Sequence, residues 1–97
     1  MEISVQGLKA KMDNKEDFVL IDVREKYEYE EFNIGGKLIP LGEIMGALED
    51  LEEFKGKEII IHCRSGKRSA MAQQLMLQAG FSDVKNLVGG VLAWQNM

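Results

Sequence analysis

The chain contains one cysteine, one proline, one histidine and one tryptophan in 97 residues, and these scarcities exclude several kinds of protein. One cysteine cannot close an internal disulfide, so a small secreted domain built on disulfides is ruled out, and a lone free thiol fits a reducing compartment. One cysteine and one histidine cannot assemble a zinc site, so no metal is expected. No Pro/Gly/Ser-rich tract, low-complexity segment or internal repeat interrupts the chain, which reads as a single domain over residues 1–97, near the low end of what buries a core without staples. Long apolar runs are also missing. Phe18–Ile21 and Ile59–Ile61 are far too short to span a bilayer, and Met1-Glu2-Ile3-Ser4 has neither the basic start nor the apolar stretch of a secretory signal. A cytoplasmic protein is expected. The net charge of −4 argues against broad attraction to nucleic acid or anionic membrane.

What is present is the composition of a globular domain, 45% hydrophobic and 29% charged. The charges are unevenly placed. Acidic residues crowd positions 22–31 and 49–53, whereas Arg64, Lys67 and Arg68 cluster beside the only cysteine, Cys63. Two continuous apolar runs rich in branched residues, Phe18–Val23 and Glu58–His62, have the pattern of strands covered on both faces. Leu38-Ile39 reads as a short strand stopped by Pro40, and Val84–Leu87 as a last one. Between them lie helical patterns. Ser4 is placed to cap a helix carrying Val5, Leu8 and Met12 on one face, and 25–32 is acidic and helical. Ile44, Leu48 and Leu51 form a stripe on a helix ending near Gly56. A long helix runs from about Arg68 to Gly80, and Gly89-Gly90 opens a terminal helix containing Trp94. Strands alternating with helices predict an α/β fold with a mainly parallel central sheet of about five strands, flanked by helices on both faces.

Cys63 falls at the carboxyl end of the Glu58–His62 strand, where ligand crevices form in such sheets. A thiol attacks as thiolate, and nearby cations and a helix N-terminus favour that form. Both are local here. The helix after Lys67 points unpaired N–H groups toward the loop, and Arg64, Lys67 and Arg68 add full charges. Gly66 allows the tight turn that lets successive N–H groups converge on an anion. The alternative, an inert buried cysteine acting as a small hydrophobe, does not account for that electropositive setting.

The ordered strings Leu20-Ile21-Asp22-Val23-Arg24, Glu28-Tyr29, Ile39-Pro40-Leu41, Cys63-Arg64-Ser65-Gly66-Lys67-Arg68-Ser69, Gly80-Phe81, Asn86-Leu87-Val88-Gly89-Gly90 and Ala93-Trp94 resemble a single-domain rhodanese from about Ser4 to Trp94. The resemblance implies a rhodanese-like fold and sulfurtransferase chemistry without an organic cofactor. Cys63 would take a sulfane sulfur from thiosulfate, polysulfide or a related small anion, hold it as a persulfide and pass it to a thiophilic acceptor. Arg64, Ser65, Gly66, Lys67, Arg68 and Ser69 would bind the anion. Among the cations Arg68 is favoured as the donor clamp, because it opens the helix. Cys63 and Arg68 enclose four residues, one fewer than in phosphatases with a related loop, which disfavours a tetrahedral oxyanion. The segment from Glu28 to Glu43 is similar to rhodanese domains fused to enzymes that adenylate sulfur-carrier proteins, which implies a protein acceptor. Many members have Gly-His-Ile where this chain has Phe32-Asn33-Ile34-Gly35-Gly36, so no role is carried over from that histidine. A polysulfide carrier or redox-sensing interaction module is the competing function.

Six other residues invite roles. His62 adjoins Cys63, but strand alternation turns neighbouring side chains to opposite faces, which favours a structural or hydrogen-bonded histidine. Asp22 and Arg24 are expected to pair as a structural ion pair. Trp94 is expected as a core anchor, and Met71 and Met76 as core filler.

Overall fold

The computed structural model describes residues 1–97 and places five parallel strands in the order β1-β5-β4-β2-β3. These are β1 (Glu2–Ile3), β2 (Val19–Asp22), β3 (Lys37–Leu38), β4 (Glu58–His62) and β5 (Asp83–Leu87). Between and after them run α1 (Val5–Asp13), α2 (Lys26–Glu31), α3 (Ile44–Ala47), α4 (Lys67–Gln78) and α5 (Gly90–Gln95). The central strand is β4, whose Ile59, Ile60, Ile61 and His62 are fully buried. It aligns Ile61 with Ile21 of β2 on one side and with Asn86 of β5 on the other. The continuous apolar pattern of the strand follows from this position, covered by helices above and below.

Alternation along the strands divides the core into two layers. Ile21, Val23, Ile59, Ile61, Cys63 and Val84 pack with Ile44, Ala72, Met76 and Phe81 on the α3/α4 face. Ile60 and Leu87 pack with Val5 and Leu8, and with partly buried Met12 and Trp94, on the α1/α5 face. Trp94 thus anchors α5, as expected. Ser4 caps α1 by accepting from the Gly7 N–H at 3.0 Å.

Three details depart from the sequence reading. The helix expected from Ile44 to Gly56 is broken: a 3-10 turn at Leu41–Glu43 leads into the four residues of α3, and a second 3-10 turn covers Glu52–Phe54. Ile44 and Leu51 are still buried and Leu48 packs beside them, so the apolar stripe survives without the regular helix. β1 is an additional edge strand of two residues, created by pairing Glu2 with Asn86 and Ile3 with Leu87. Met71 is 61% exposed whereas Met76 is fully buried, because α4 turns only one side to the sheet.

No helix is long and apolar enough to cross a membrane.

Candidate active site

Three loops meet beyond the carboxyl end of β4. The first is the 63–66 turn itself, which leaves β4 with Cys63 facing the α3/α4 layer. Gly66 adopts φ +112°, a left-handed conformation that costs a residue with a Cβ and costs glycine nothing. That turn brings the Gly66 N–H to 3.1 Å from Cys63 Sγ. It also starts α4 at Lys67, so the N-terminus of a twelve-residue helix faces the sulfur.

The second loop follows β5. Gly90, at φ +57°, passes so close that a Cβ there would lie 2.6 Å from the Arg64 carbonyl oxygen and would also strike that of Cys63. The close approach lets Val91 N–H donate to the Cys63 carbonyl and Leu92 N–H to the Arg64 carbonyl, each at 3.0 Å. The start of α5 therefore clamps the backbone of the cysteine.

The third loop follows β2 and is held by a buried ion pair. Arg24 donates to both Asp22 carboxylate oxygens, the shortest contact being 2.8 Å. It also reaches the carbonyls of Phe32 at 2.6 Å and Glu28 at 3.4 Å. Asp22 is fully buried and Arg24 is 4% exposed, so the pair is structural, as its spacing suggested. Its hydrogen bonds tie α2 to the sheet. α2 in turn presents Glu28, which accepts from two guanidinium nitrogens of Arg68 at 2.7 and 2.9 Å. The paired arginine holds the Glu28 carboxyl down to about 2.

Burial pushes the Cys63 thiol up, but the hydrogen bonds that the Ser69 hydroxyl and the N–H groups of Ser69, Gly66 and Ser65 offer the ionised sulfur outweigh it and leave the thiol below its ordinary value. The residue itself is 1% exposed. Ser69 is fully buried, with Oγ 3.4 Å from Cys63 Sγ. Arg64, Ser65 and Lys67 are exposed. The three cations of the loop consequently differ: Arg64 and Lys67 face solvent, whereas Arg68, favoured in the sequence as the donor clamp, is committed to Glu28.

His62 is buried in the opposite layer, its Nε2 3.7 Å from Asp22 Oδ2 and both ring nitrogens without a hydrogen-bond partner. Burial pushes its pKa down, outweighing the attraction of Asp22, so the ring is neutral. Alternation does separate it from Cys63. Of the two expected readings, the structural histidine is the one seen and the hydrogen-bonded one is not.

Two residues of the site were not singled out in the sequence. Glu28 is forty positions from its partner Arg68, and only the string Glu28-Tyr29 hinted at it. Asn86, on β5, accepts from the Ser69 hydroxyl at 2.6 Å and donates to the Gly66 carbonyl at 3.2 Å; its place beside Leu87-Val88-Gly89-Gly90 was the available signal.

Fold and loop together define a class: a small parallel α/β domain that presents one cysteine inside an amide-lined turn at the end of its central strand. The chain belongs to the rhodanese-like domain family, whose model matches residues 4–97. It is 44% identical over 94 residues to the putative sulfur carrier protein YrkF of Bacillus subtilis strain 168, covering 96% of this chain and 50% of that protein. It is 40% identical over 95 residues to the putative sulfurtransferase YtwF of the same organism, covering 97% of this chain and 89% of that one. The chain thus spans half of the first relative and most of the second. Among solved structures, a rhodanese-like domain protein from Staphylococcus aureus superposes with a TM-score of 0.82 at 31% identity, covering 97% of this chain and 91% of that one. A rhodanese-related protein from Thermoplasma volcanium gives a TM-score of 0.84 at 25% identity, with 98% and 90% covered.

Proposed function

We propose that the protein is a sulfurtransferase in which Cys63 carries the transferred atom as a persulfide. The observation that carries this reading is the convergence of N–H groups on Cys63 Sγ, with the Gly66 N–H at 3.1 Å, next to two solvent-facing cations. The thiolate attacks the outer sulfur of a sulfane donor such as thiosulfate. The new S–S bond forms as the donor's S–S bond breaks, and the bonding pair leaves on sulfite. The negative charge moves to the outer sulfur of the Cys63 persulfide, inside the turn formed by Arg64, Ser65, Gly66, Lys67, Arg68 and Ser69, whose amides are oriented before the charge arrives. A thiophile then attacks that outer sulfur and releases the Cys63 thiolate, so one transfer becomes two displacements.

In this account Arg64 and Lys67 attract the anionic donor. Arg68 braces the turn through Glu28. No step requires a metal or an organic cofactor, and the setting expected is cytoplasmic.

A second reading, delivery of sulfur to a partner protein, is supported by the similarity to a protein named as a putative sulfur carrier. A cleft of about 160 Å³ lined by Arg64, Phe32 and Leu92, among others, adjoins the cysteine turn, and Phe32 and Leu92 are 37% and 38% exposed. Steady-state assays with cyanide as acceptor and thiosulfate or polysulfide as donor separate the two readings. Turnover with thiosulfate supports the enzyme reading. Persulfide formation from polysulfide, with slow discharge to cyanide and fast discharge to a protein thiol, supports the carrier. Absence of turnover and of discharge from every sulfane donor refutes both.

A further inference from the structure

Three acceptors surround a single proton at Ser69. Its Oγ lies 2.6 Å from Asn86 Oδ1, 3.2 Å from the Gly66 carbonyl and 3.4 Å from Cys63 Sγ, and a serine hydroxyl has one hydrogen to give. The orientation of the Asn86 amide decides where it goes. The Gly66 carbonyl can only accept, so Asn86 turns Nδ2 toward it at 3.2 Å, which leaves Oδ1 facing Ser69. An amide oxygen can only accept as well, so Ser69 must donate to it. Ser69 is fully buried and Asn86 is 8% exposed, so a hydrogen bond lost here is not readily replaced by water.

The arrangement is self-consistent for a neutral thiol. The Cys63 S–H donates to Ser69 Oγ, and the Ser69 O–H donates to Asn86 Oδ1. Ionisation of the sulfur disturbs it. The thiolate is stabilised by donors, so Ser69 must turn its proton from Oδ1 to Sγ, and the amide oxygen is left buried without one.

We propose that Asn86 is a positioning residue that acts through Ser69, holding the serine proton away from Cys63 until the sulfur carries negative charge. The same amide fixes the Gly66 carbonyl, and with it the turn whose N–H points at Sγ. Through Ser69, Asn86 opposes the thiolate and keeps the sulfur more basic than it would be with the serine proton free to turn to it. In the persulfide of the proposed function the charge has moved to the outer sulfur, and the Ser69 proton returns to Asn86. That last consequence rests on the sulfurtransferase reading; the control of the free thiol does not.

Cys63 is the only cysteine, so the rate of alkylation by iodoacetamide as a function of pH reads this thiol alone. The experiment compares wild type, Asn86→Ala, Ser69→Ala and the double variant. Asn86→Ala is expected to move the midpoint about 0.5–1 pH unit toward acid, the scale of one redirected hydrogen bond to a charged group. In the Ser69→Ala background the same substitution is expected to move it little. An unchanged or alkaline midpoint in Asn86→Ala overturns the proposal, as does an equal acid shift without Ser69.

Should Asn86→Ala fail to fold, the wild-type protein still answers. The Asn86 side-chain carbonyl ¹³C shift should titrate with the Cys63 midpoint, and by less than half as much in Ser69→Ala. A flat titration in wild type contradicts the proposal. None of these measurements needs a sulfur donor, so a failure here is distinct from a failure to form persulfide.

Discussion

At the scale of single residues, the cysteine turn separates charges that look equivalent in sequence. Arg64, Lys67 and Arg68 lie within five positions, yet only the first two are free to meet a donor. Lys67→Ala is expected to raise KM for thiosulfate several-fold and to change kcat by less, because a solvent-facing ammonium attracts the anion without touching the breaking bond. Arg68→Ala should instead lower stability and kcat together, since it releases a part-buried Glu28 carboxylate and loosens the turn. Steady-state kinetics of both variants check the assignment, and equal effects of Lys67→Ala on KM and kcat contradict it. The cysteine, the glycine of the turn and the cations were legible in sequence because they are contiguous and their chemistry is local. The division of labour among the cations was not, since it depends on Glu28 arriving from α2. Asn86 was hidden for the same reason: its meaning comes from β5 lying beside β4.

At the scale of elements, the turn is held from two sides by segments that do no chemistry. The buried Asp22–Arg24 pair positions α2, and the start of α5 donates to the carbonyls of Cys63 and Arg64. Gly90 is the point where the second support fails most easily. Gly90→Ala places a Cβ against the Arg64 carbonyl at 2.6 Å and in a left-handed conformation, so a loss of about 2 kcal/mol or more is expected. Urea denaturation measures it, and a change below about 0.5 kcal/mol would show that α5 does not hold the turn. The buried strands β2 and β4 were legible because their apolar runs are continuous. β1 was not, because two residues carry no periodicity and become a strand only by pairing with β5. The segment after Pro40 shows the opposite limit. Its apolar spacing at Ile44, Leu48 and Leu51 marks burial correctly, but spacing alone does not separate one helix from a short helix between two 3-10 turns.

At the scale of the whole molecule, His62 and two ion-paired carboxylates, Glu28 and Glu58, make stability depend on acid. His62 has its pKa lowered from 6.5, chiefly by burial. Below about pH 6.5 the unfolded chain takes up a proton that the folded chain resists, and stability falls. Glu28 is lowered from 4.5 to about 2, first by its hydrogen bonds from Arg68. Its contribution is complete above pH 4.5 and is lost as pH falls toward about 2. The upper limit is about 3 kcal/mol, reduced by solvent screening around the part-exposed guanidinium. Thermal melts from pH 7 to pH 2 should therefore decline in two stages. His62→Phe should flatten the upper stage and Glu28→Gln should reduce the lower, which Glu58 shares through Lys85 and Lys11, and a Glu28→Gln profile parallel to wild type below pH 4.5 would contradict the role given to the Glu28–Arg68 pair.

The central claim, that Cys63 carries sulfur, is tested most directly by intact-protein mass spectrometry after incubation with thiosulfate or polysulfide. Wild type should gain the mass of one sulfur atom on Cys63 and lose it on addition of cyanide, while folded Cys63→Ser gains nothing. A wild-type protein that takes up no sulfur from either donor, or a Cys63→Ser protein that does, would contradict the account.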